Sequence, residues 1–572
     1  MKKFFTFNRK RNFLKRICFI VICVYGMAFC TRSIASVWTV INTNDSGAGS
    51  LREMISLAAS GDTINFHSSL HGSTITLTSG QITFSKSLFI MGPGYNLLTI
   101  SSGGMSRIFD IGGGNILIVG LKLAEGVVHV PPYGEDGGAI RHKNNGTLTL
   151  KSVCFLNDST YVHNSRQGGA VYYGVSGGIF IADSCFFVHC ASDAMGSALS
   201  CNGTPANVFI NHCTFDGNHC LNGGFGAFFS NGLSIIIKNS TFINNTANGS
   251  TAIMNLMQKK AIIENCTFSN NIADAPFGGI SYMKDTLSMI NCTYTGNNEP
   301  LRLSPDMFPA YFITQNCIFS NNQGVNFQRS GPATCSSKGG NISSDTSMSF
   351  FLTAANDTNE IDPLLDTLAN NGGITLTHNL LPGSPAAGIG ISTGAPLTDQ
   401  AGRARCGIID AGALEYYVNT NVDQVNHSLF SQQHSAIYQW LNCDNGFLPV
   451  EEETYMFFSP FTNGNYAVIV SENGCTDTSA CYTISGIGIS EYNTGNELSV
   501  YPNPTDRILN IENISGDNTI AEIYNYQGRL LSTISLNKNI ESIDVSALQN
   551  GLYFLKILTI NKDSYLCRFI KI

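Results

Sequence analysis

A chain of 572 residues is too long for a single ordinary hydrophobic core, so several domains or a repeat array are needed. Charged residues make up only 13% of it and glycines number 57, a balance that suits turn-rich β structure and argues against helical bundles. The net charge of -8, with no long basic run beyond residue 16, excludes nucleic acid as an expected partner.

Residues 1–35 read as a signal peptide. Lys2, Lys3, Arg9, Lys10, Arg11, Lys15 and Arg16 form a basic start, Ile17 to Phe29 is apolar, and Ser33-Ile34-Ala35 supplies small residues for cleavage. The apolar run falls short of the ~20 residues a membrane helix needs. No later segment approaches that length, so no transmembrane span is expected in the mature chain. Phe29 is too bulky to precede a lipid-attached Cys30. Of the 18 cysteines, Cys18, Cys23 and Cys30 leave with the signal. An odd number remains, so at least one cannot pair within the chain.

Ser50 and Glu53 form a capping box ahead of helical periodicity in Leu51, Met54, Ile55, Ala58 and Ala59. A short amphipathic helix is expected there, covering an end that would otherwise expose unpaired strand edges. Between residues 138 and 322 the chain repeats. Phe155, Phe187, Phe215, Phe242, Phe268, Tyr294 and Phe319 recur at intervals of 25 to 32 residues. Two residues before them stand Val153, Cys185, Cys213, Ser240, Cys266, Cys292 and Cys317. Five residues before stand Leu150, Ala182, Ile210, Ile237, Ile263, Met289 and Thr314. A second strand lies upstream, in Gly138-Ala139-Ile140 and Gly169-Ala170-Val171. Units this short bury a core only by stacking, each strand pairing with its equivalent one turn on. Asn239, Asn265, Asn291 and Asn316 stand three residues before the aromatic in four successive repeats. Asn tolerates left-handed backbone at bends, and stacked amides hydrogen-bond from coil to coil. The pattern predicts a parallel β-solenoid.

Several of these motifs resemble known families. Phe215-Asp-Gly-Asn218, Phe242-Ile-Asn-Asn245, Phe268-Ser-Asn-Asn271 and Phe319-Ser-Asn-Asn322 are similar to the F-x-x-N element of chlamydial polymorphic outer membrane protein repeats. Gly137-Gly138-Ala139-Ile140 and Gly168-Gly169-Ala170-Val171 are similar to their G-G-A-[ILV] element. Asp158 and Cys190 replace the Asn after Phe155 and Phe187, so those two turns are expected to differ. Gly49-Ser50-Leu51-Arg52-Glu53 through Gly61-Asp62-Thr63-Ile64 resembles the choice-of-anchor Q group of bacterial β-helix proteins. So do Ile361-Asp362-Pro363, Asn371-Gly372-Gly373, Leu381-Pro382-Gly383-Ser384-Pro385-Ala386 and Ile409-Asp410-Ala411-Gly412-Ala413. The resemblance covers about residues 37 to 416. It implies an all-β chain in which residues 36–417 form one right-handed parallel β-helix.

Residues 418–486 lose the repeat. Tyr438-Gln439-Trp440, Phe457-Phe458 and Tyr466-Ala467-Val468-Ile469-Val470 alternate like sandwich strands, with a turn at Asn463-Gly464-Asn465. Cys443, Cys475 and Cys481 suggest one disulfide and one free thiol. The segment resembles an immunoglobulin-like module and reads as a spacer more readily than as a binding domain. Residues 487–496 are a linker. Residues 497–572 carry Leu498-Ser499-Val500-Tyr501-Pro502-Asn503-Pro504-Thr505, strands at Ile508 to Ile511 and Ala521 to Tyr524, and a Gln527-Gly528 turn. Asn550-Gly551-Leu552-Tyr553-Phe554 and Phe569-Ile570-Lys571-Ile572 follow. This resembles the type A C-terminal sorting domain of the type IX secretion system. The resemblance implies a terminal β-sandwich, recognition by the secretion machinery through residues 497–572, removal of the domain, and release or surface attachment.

Parallel β-helices also serve as polysaccharide lyases and glycoside hydrolases, so catalysis is the rival reading. The outward column four residues before each aromatic is Lys151, Asp183, Asn211, Lys238, Glu264, Ile290, Gln315. Its acids, Asp183 and Glu264, are three coils and so roughly 14 Å apart. Glycosidase carboxylates lie about 5 to 9.5 Å apart. Alternating signs more simply stabilise a solvated face. His189-Cys190, His212-Cys213 and His219-Cys220 lack the usual zinc-ligand spacing. Cys213 belongs to an inward column, and Cys190 is placed to pair with Cys201 or Cys220. The expected protein is therefore a cell-surface or secreted β-helix, adhesin-like or ligand-binding. Its partner would be a surface glycan or host matrix component, and no catalytic, cofactor or metal residues are assigned.

Overall fold

The computed structural model describes residues 35–572 except 129–135, 161–166, 205, 223, 250, 258–259, 275–278, 283, 305–308, 435, 473, 488–498, 513–518, 527, 537–539 and 559–563. All but the last residue of the signal peptide, most of the linker, Leu498 and Gln527 thus lie outside the described residues.

The coils of the parallel β-helix contribute short strands to three long faces, and six two-residue strands such as Ile272–Ala273 form a fourth parallel sheet. In one coil the long-face strands are Met254–Leu256 on the third face, Lys260–Glu264 on the first and Thr267–Ser269 on the second. The first and second faces are 12-stranded sheets and the third is 10-stranded, every strand parallel to its equivalent in the next coil. The expected register holds. Phe155, Phe187, Phe215, Phe242, Phe268, Tyr294 and Phe319 are successive partners on the second face. The first four rings stack at centroid distances of 4.9, 4.6 and 4.4 Å. The columns two and five residues upstream are buried throughout. Burying these rows supplies the drive for stacking, because no single coil has an interior of its own.

Two left-handed corners flank the seven second-face strands from Cys154–Leu156 to Ile318–Ser320. The first is Ser152, Ser184, His212, Asn239, Asn265, Asn291 and Asn316, with φ between 49° and 55°. The second is Asn157, His189, Gly217, Asn244, Asn270, Gly296 and Asn321, with φ between 51° and 67°. The turns after Phe155 and Phe187 therefore keep the same backbone, contrary to expectation. Only the next side chain differs: Asp158 Oδ1 accepts from Gly126 N–H at 2.7 Å, and Cys190 N–H donates to Asn218 Oδ1 at 3.0 Å. In the G-G-A element the second glycine is required by close approach. A Cβ on Gly138 would lie 2.3 Å from the Gly169 carbonyl oxygen.

The capping helix forms at Leu51–Leu57, with Ser50 as N-cap and Leu51 and Ile55 in the solenoid core. Glu53 Oε2 accepts from Gly49 N–H at 2.7 Å. At the other end the coils stop sooner than the sequence reading placed them. The last second-face strands are Ile342–Ser343 and Thr358–Asn359. Proline at 363, 382 and 385 deprives this stretch of ladder donors. Residues 365–416 instead return along the second face as a strap. Thr241 Oγ1 donates to Leu376 O at 2.7 Å, Asn265 Nδ2 to Thr398 O at 2.8 Å and Gly412 N–H to Asn316 O at 2.8 Å.

Beyond the strap, antiparallel strands include Ile437–Asn442, Phe457–Phe458 and Gly464–Glu472. Trp440 is fully buried, and Gly464 begins a strand where a turn was expected. Both Cys443–Cys481 and Cys406–Cys475 are disulfides, so Cys475 is not the free thiol. Cys190, Cys201 and Cys220 are buried and unpaired, contrary to the expected surface disulfide. Burial pushes these thiols up, holding them as neutral core groups.

A separate compact unit contains the C-terminal residues. One sheet joins Ser499–Tyr501, Ile508–Glu512 and Ile540–Asp544, and another joins Leu530–Leu536, Thr519–Asn525, Gly551–Leu558 and Ser564–Lys571. Leu509, Ile511, Ile523, Leu555, Ile557 and Phe569 lie in its core.

Candidate functional site

A β-helix offers ligands its outward rows, and these three faces differ in what they leave open. The strap lies against the second face. It also carries its own buried charge cluster, in which Arg405 Nη1 meets Glu415 Oε2 at 2.5 Å. Burial, and then neighbouring Asp410, pushes the Glu415 carboxyl up to about 7 against the pull of Arg405. Asp399 accepts from the Arg403 and Glu415 N–H groups, and Asp410 from those of Gly388 and Tyr416. These acids brace the strap, which accounts for Ile409-Asp410-Ala411-Gly412-Ala413 as a structural motif.

The third face is closed along its middle. Its outward residues Ser200, Phe229, Asn255 and Ser281 are buried. Ser200 Oγ donates to Gln167 Oε1 at 2.9 Å, and the Phe225 ring lies over Phe229 at 6.1 Å. Nearer the capped end, Arg141 holds Asp110 through two bonds of 2.8 Å.

The first face is open. Its central outward column runs Phe89, Leu117, Thr149, Ile181, Phe209, Ile236, Ile262, Ser288, Ile313. Phe89, Phe209 and neighbouring Ile179 and Tyr311 are exposed, between 38% and 44%. The charged column lies beside this stripe, two residues along each strand. Lys238 Nζ meets Glu264 Oε2 at 2.5 Å, and Asn211 Nδ2 donates to Asp183 Oδ1 at 3.1 Å. Asp183 and Glu264 occupy the same column three strands apart, so the structure does not bring them together. Sequence reading found the charged column but missed the apolar one. Its signal, a bulky apolar residue at the centre of seven of these nine strands, is masked by the apolar inward positions on either side.

Local geometry explains the three His-Cys pairs. His212 and His189 stand at left-handed corners, while Cys213 and Cys190 turn into the core. His219 Nδ1 lies 2.6 Å from Thr246 Oγ1. A cleft of about 550 Å³ lies between the strap and the following sheets, lined by Leu381, Ser384, Tyr416 and Glu472 among others. Gln433 Nε2 donates to Glu472 Oε2 at 2.6 Å. Among the described residues, Glu472 is the only carboxylate in the cleft lining.

In the terminal unit, the P-N-P-T motif stitches down the last strand. Asn503 Oδ1 accepts from Ile570 N–H and its Nδ2 donates to Arg568 O, both at 2.9 Å. Thr505 N–H donates to Ile570 O at 2.8 Å, and Ile572 N–H to Thr505 O at 2.9 Å. Motif and final strand are therefore held together as one unit, with Thr505 buried and Asn503 exposed.

Residues 499–571 match the family described as Secretion system C-terminal sorting domain. That match marks the chain as exported through the type IX secretion system to the cell surface or the medium. No curated protein matches the sequence. One similar solved chain is PorZ, described as an essential bacterial surface component of the type-IX secretion system of human oral-microbiomic Porphyromonas gingivalis. The similarity covers 18% of this chain and 15% of that one at 20% identity, with a TM-score of 0.13. Among the described residues no helix is long and apolar enough to cross a membrane.

Proposed function

We propose that this exported β-helix is a non-enzymatic, adhesin-like binding protein that contacts an extended partner along its first face. The observation that carries this reading is the open row from Phe89 to Ile313. Equivalent outward positions repeat every coil, which suits a long shallow contact better than a deep pocket. Contacts that are individually weak gain avidity when a rigid array presents them together. A surface glycan or host matrix component fits such a face. Kinship with choice-of-anchor Q proteins belongs to the same proposal, supported by the capping and strap motifs at either end of the coils. Residues 418–486 serve as an immunoglobulin-like spacer.

Incubating the full exported chain with plant, algal and host polysaccharides, with and without Ca²⁺, tests the reading. Retention on an immobilised glycan or matrix protein without new reducing ends or unsaturated products is expected. Either product would instead make the chain a polysaccharide hydrolase or lyase.

A further inference from the structure

The first face is an apolar stripe with a charged column along one side, and the order of its charges constrains what can lie on it. We infer that this face docks a second copy of the same chain, with the two helices antiparallel and a two-fold axis at Phe209. The inference rests on the first face being the contact surface, where a second copy competes with any glycan or matrix partner for the same row.

The column reads Lys151, Asp183, Asn211, Lys238, Glu264 in successive coils. Turned end for end about Asn211, Lys151 opposes Glu264, Asp183 opposes Lys238, and Asn211 opposes itself. All four charges meet their opposites. A centre half a coil to one side sets Lys151 against Lys238, and half a coil to the other sets Asp183 against Glu264. Both copies have the same coil spacing, so the match does not drift along the interface. The same rotation places Phe209 on its own copy, Ile181 on Ile236, and Val119 on Ile290, and those last four side chains are each half-buried. An isologous contact needs a self-complementary patch of this kind.

The size is adequate. Nine coils at about 4.8 Å and five-residue strands at about 3.3 Å per residue give a patch roughly 40 Å by 16 Å. Both copies together then bury about 1,200–1,300 Å², at the lower end of specific interfaces. Because the helices are antiparallel, the strap ends of the two copies point in opposite directions.

Sedimentation equilibrium of the full exported chain at micromolar concentration should give twice the chain mass. Phe209→Lys puts two like charges on the axis and should weaken self-association at least about tenfold. Its side chain points outward, so at concentrations low enough for both chains to be monomeric the variant should unfold thermally as the parent does. A fourfold charge swap (Lys151→Glu, Asp183→Lys, Lys238→Glu, Glu264→Lys) keeps the neighbouring ion pair within each copy and all the opposed pairs between copies. It should therefore pair with itself but not with the parent chain. A monomeric parent chain, a Phe209→Lys variant that still dimerises, or free mixing of swapped and parent chains would each overturn the inference. A monomer that still binds an immobilised glycan through Phe209 would remove the second copy while leaving the proposed function standing.

Discussion

Asn271 is one rung of a buried amide ladder. Its Oδ1 accepts from the N–H and Nδ2 of Asn245 at 3.0 and 2.8 Å, and its Nδ2 donates to Asn297 Oδ1 and Phe242 O at 2.8 and 2.9 Å. Asn218, Asn245, Asn297 and Asn322 continue the ladder. Asn271→Leu keeps the volume but strands several of these groups inside the coil. At about 1–3 kcal/mol for each buried group left unpaired, the loss should be at least about 3 kcal/mol. Urea unfolding followed by circular dichroism would show it, and an unchanged midpoint would mean that the ladder adds nothing. This row was legible in the F-x-x-N spacing. The left-handed residue just before it was partly legible, since Asn157, Asn244, Asn270, Asn321, Gly217 and Gly296 are types that adopt that conformation. His189 concealed the rule by occupying the same corner, and its neighbour Cys190 suggested metal or disulfide chemistry.

At the level of elements, the coils were legible and the strap was not. Coils repeat, so residue type at a fixed spacing reveals inside and outside without coordinates. The strap makes single contacts across large sequence separations, such as Gln400 with Thr267 and Thr241, and no period marks them. Gln400 Oε1 accepts from Thr267 Oγ1 at 2.7 Å, and its Nε2 donates to Thr241 Oγ1 at 2.7 Å and Thr375 Oγ1 at 2.9 Å. The Cys406–Cys475 disulfide was hidden for the same reason, because its partners belong to segments of different composition. Gln400→Leu should loosen the strap by about 1–3 kcal/mol without opening the coils. Hydrogen exchange should accelerate over residues 365–416 and stay slow over residues 138–322. Equal acceleration in both would show that the strap and the coils open as one unit.

At the level of the whole molecule, the question is which part carries the export signal and whether it is separable. The terminal unit has a core of its own, and residues such as Leu509, Leu555 and Phe569 form a cluster distinct from the coil interior. The clamp of Asn503 and Thr505 on the final strand involves only residues of that unit. Deleting residues 497–572 therefore removes the sorting feature and takes no side chain from the solenoid core. The truncated chain should fold, cross the inner membrane and stop in the periplasm, while the full chain reaches the surface or the medium. Cell fractionation would separate the outcomes, and equal surface amounts of the two chains would show that another segment directs export. Mass spectrometry of the surface form adds an independent check. Removal of the domain after transport predicts that no peptide ending at Ile572 is recovered there, whereas an intact C-terminus would mean that the domain stays in place after export.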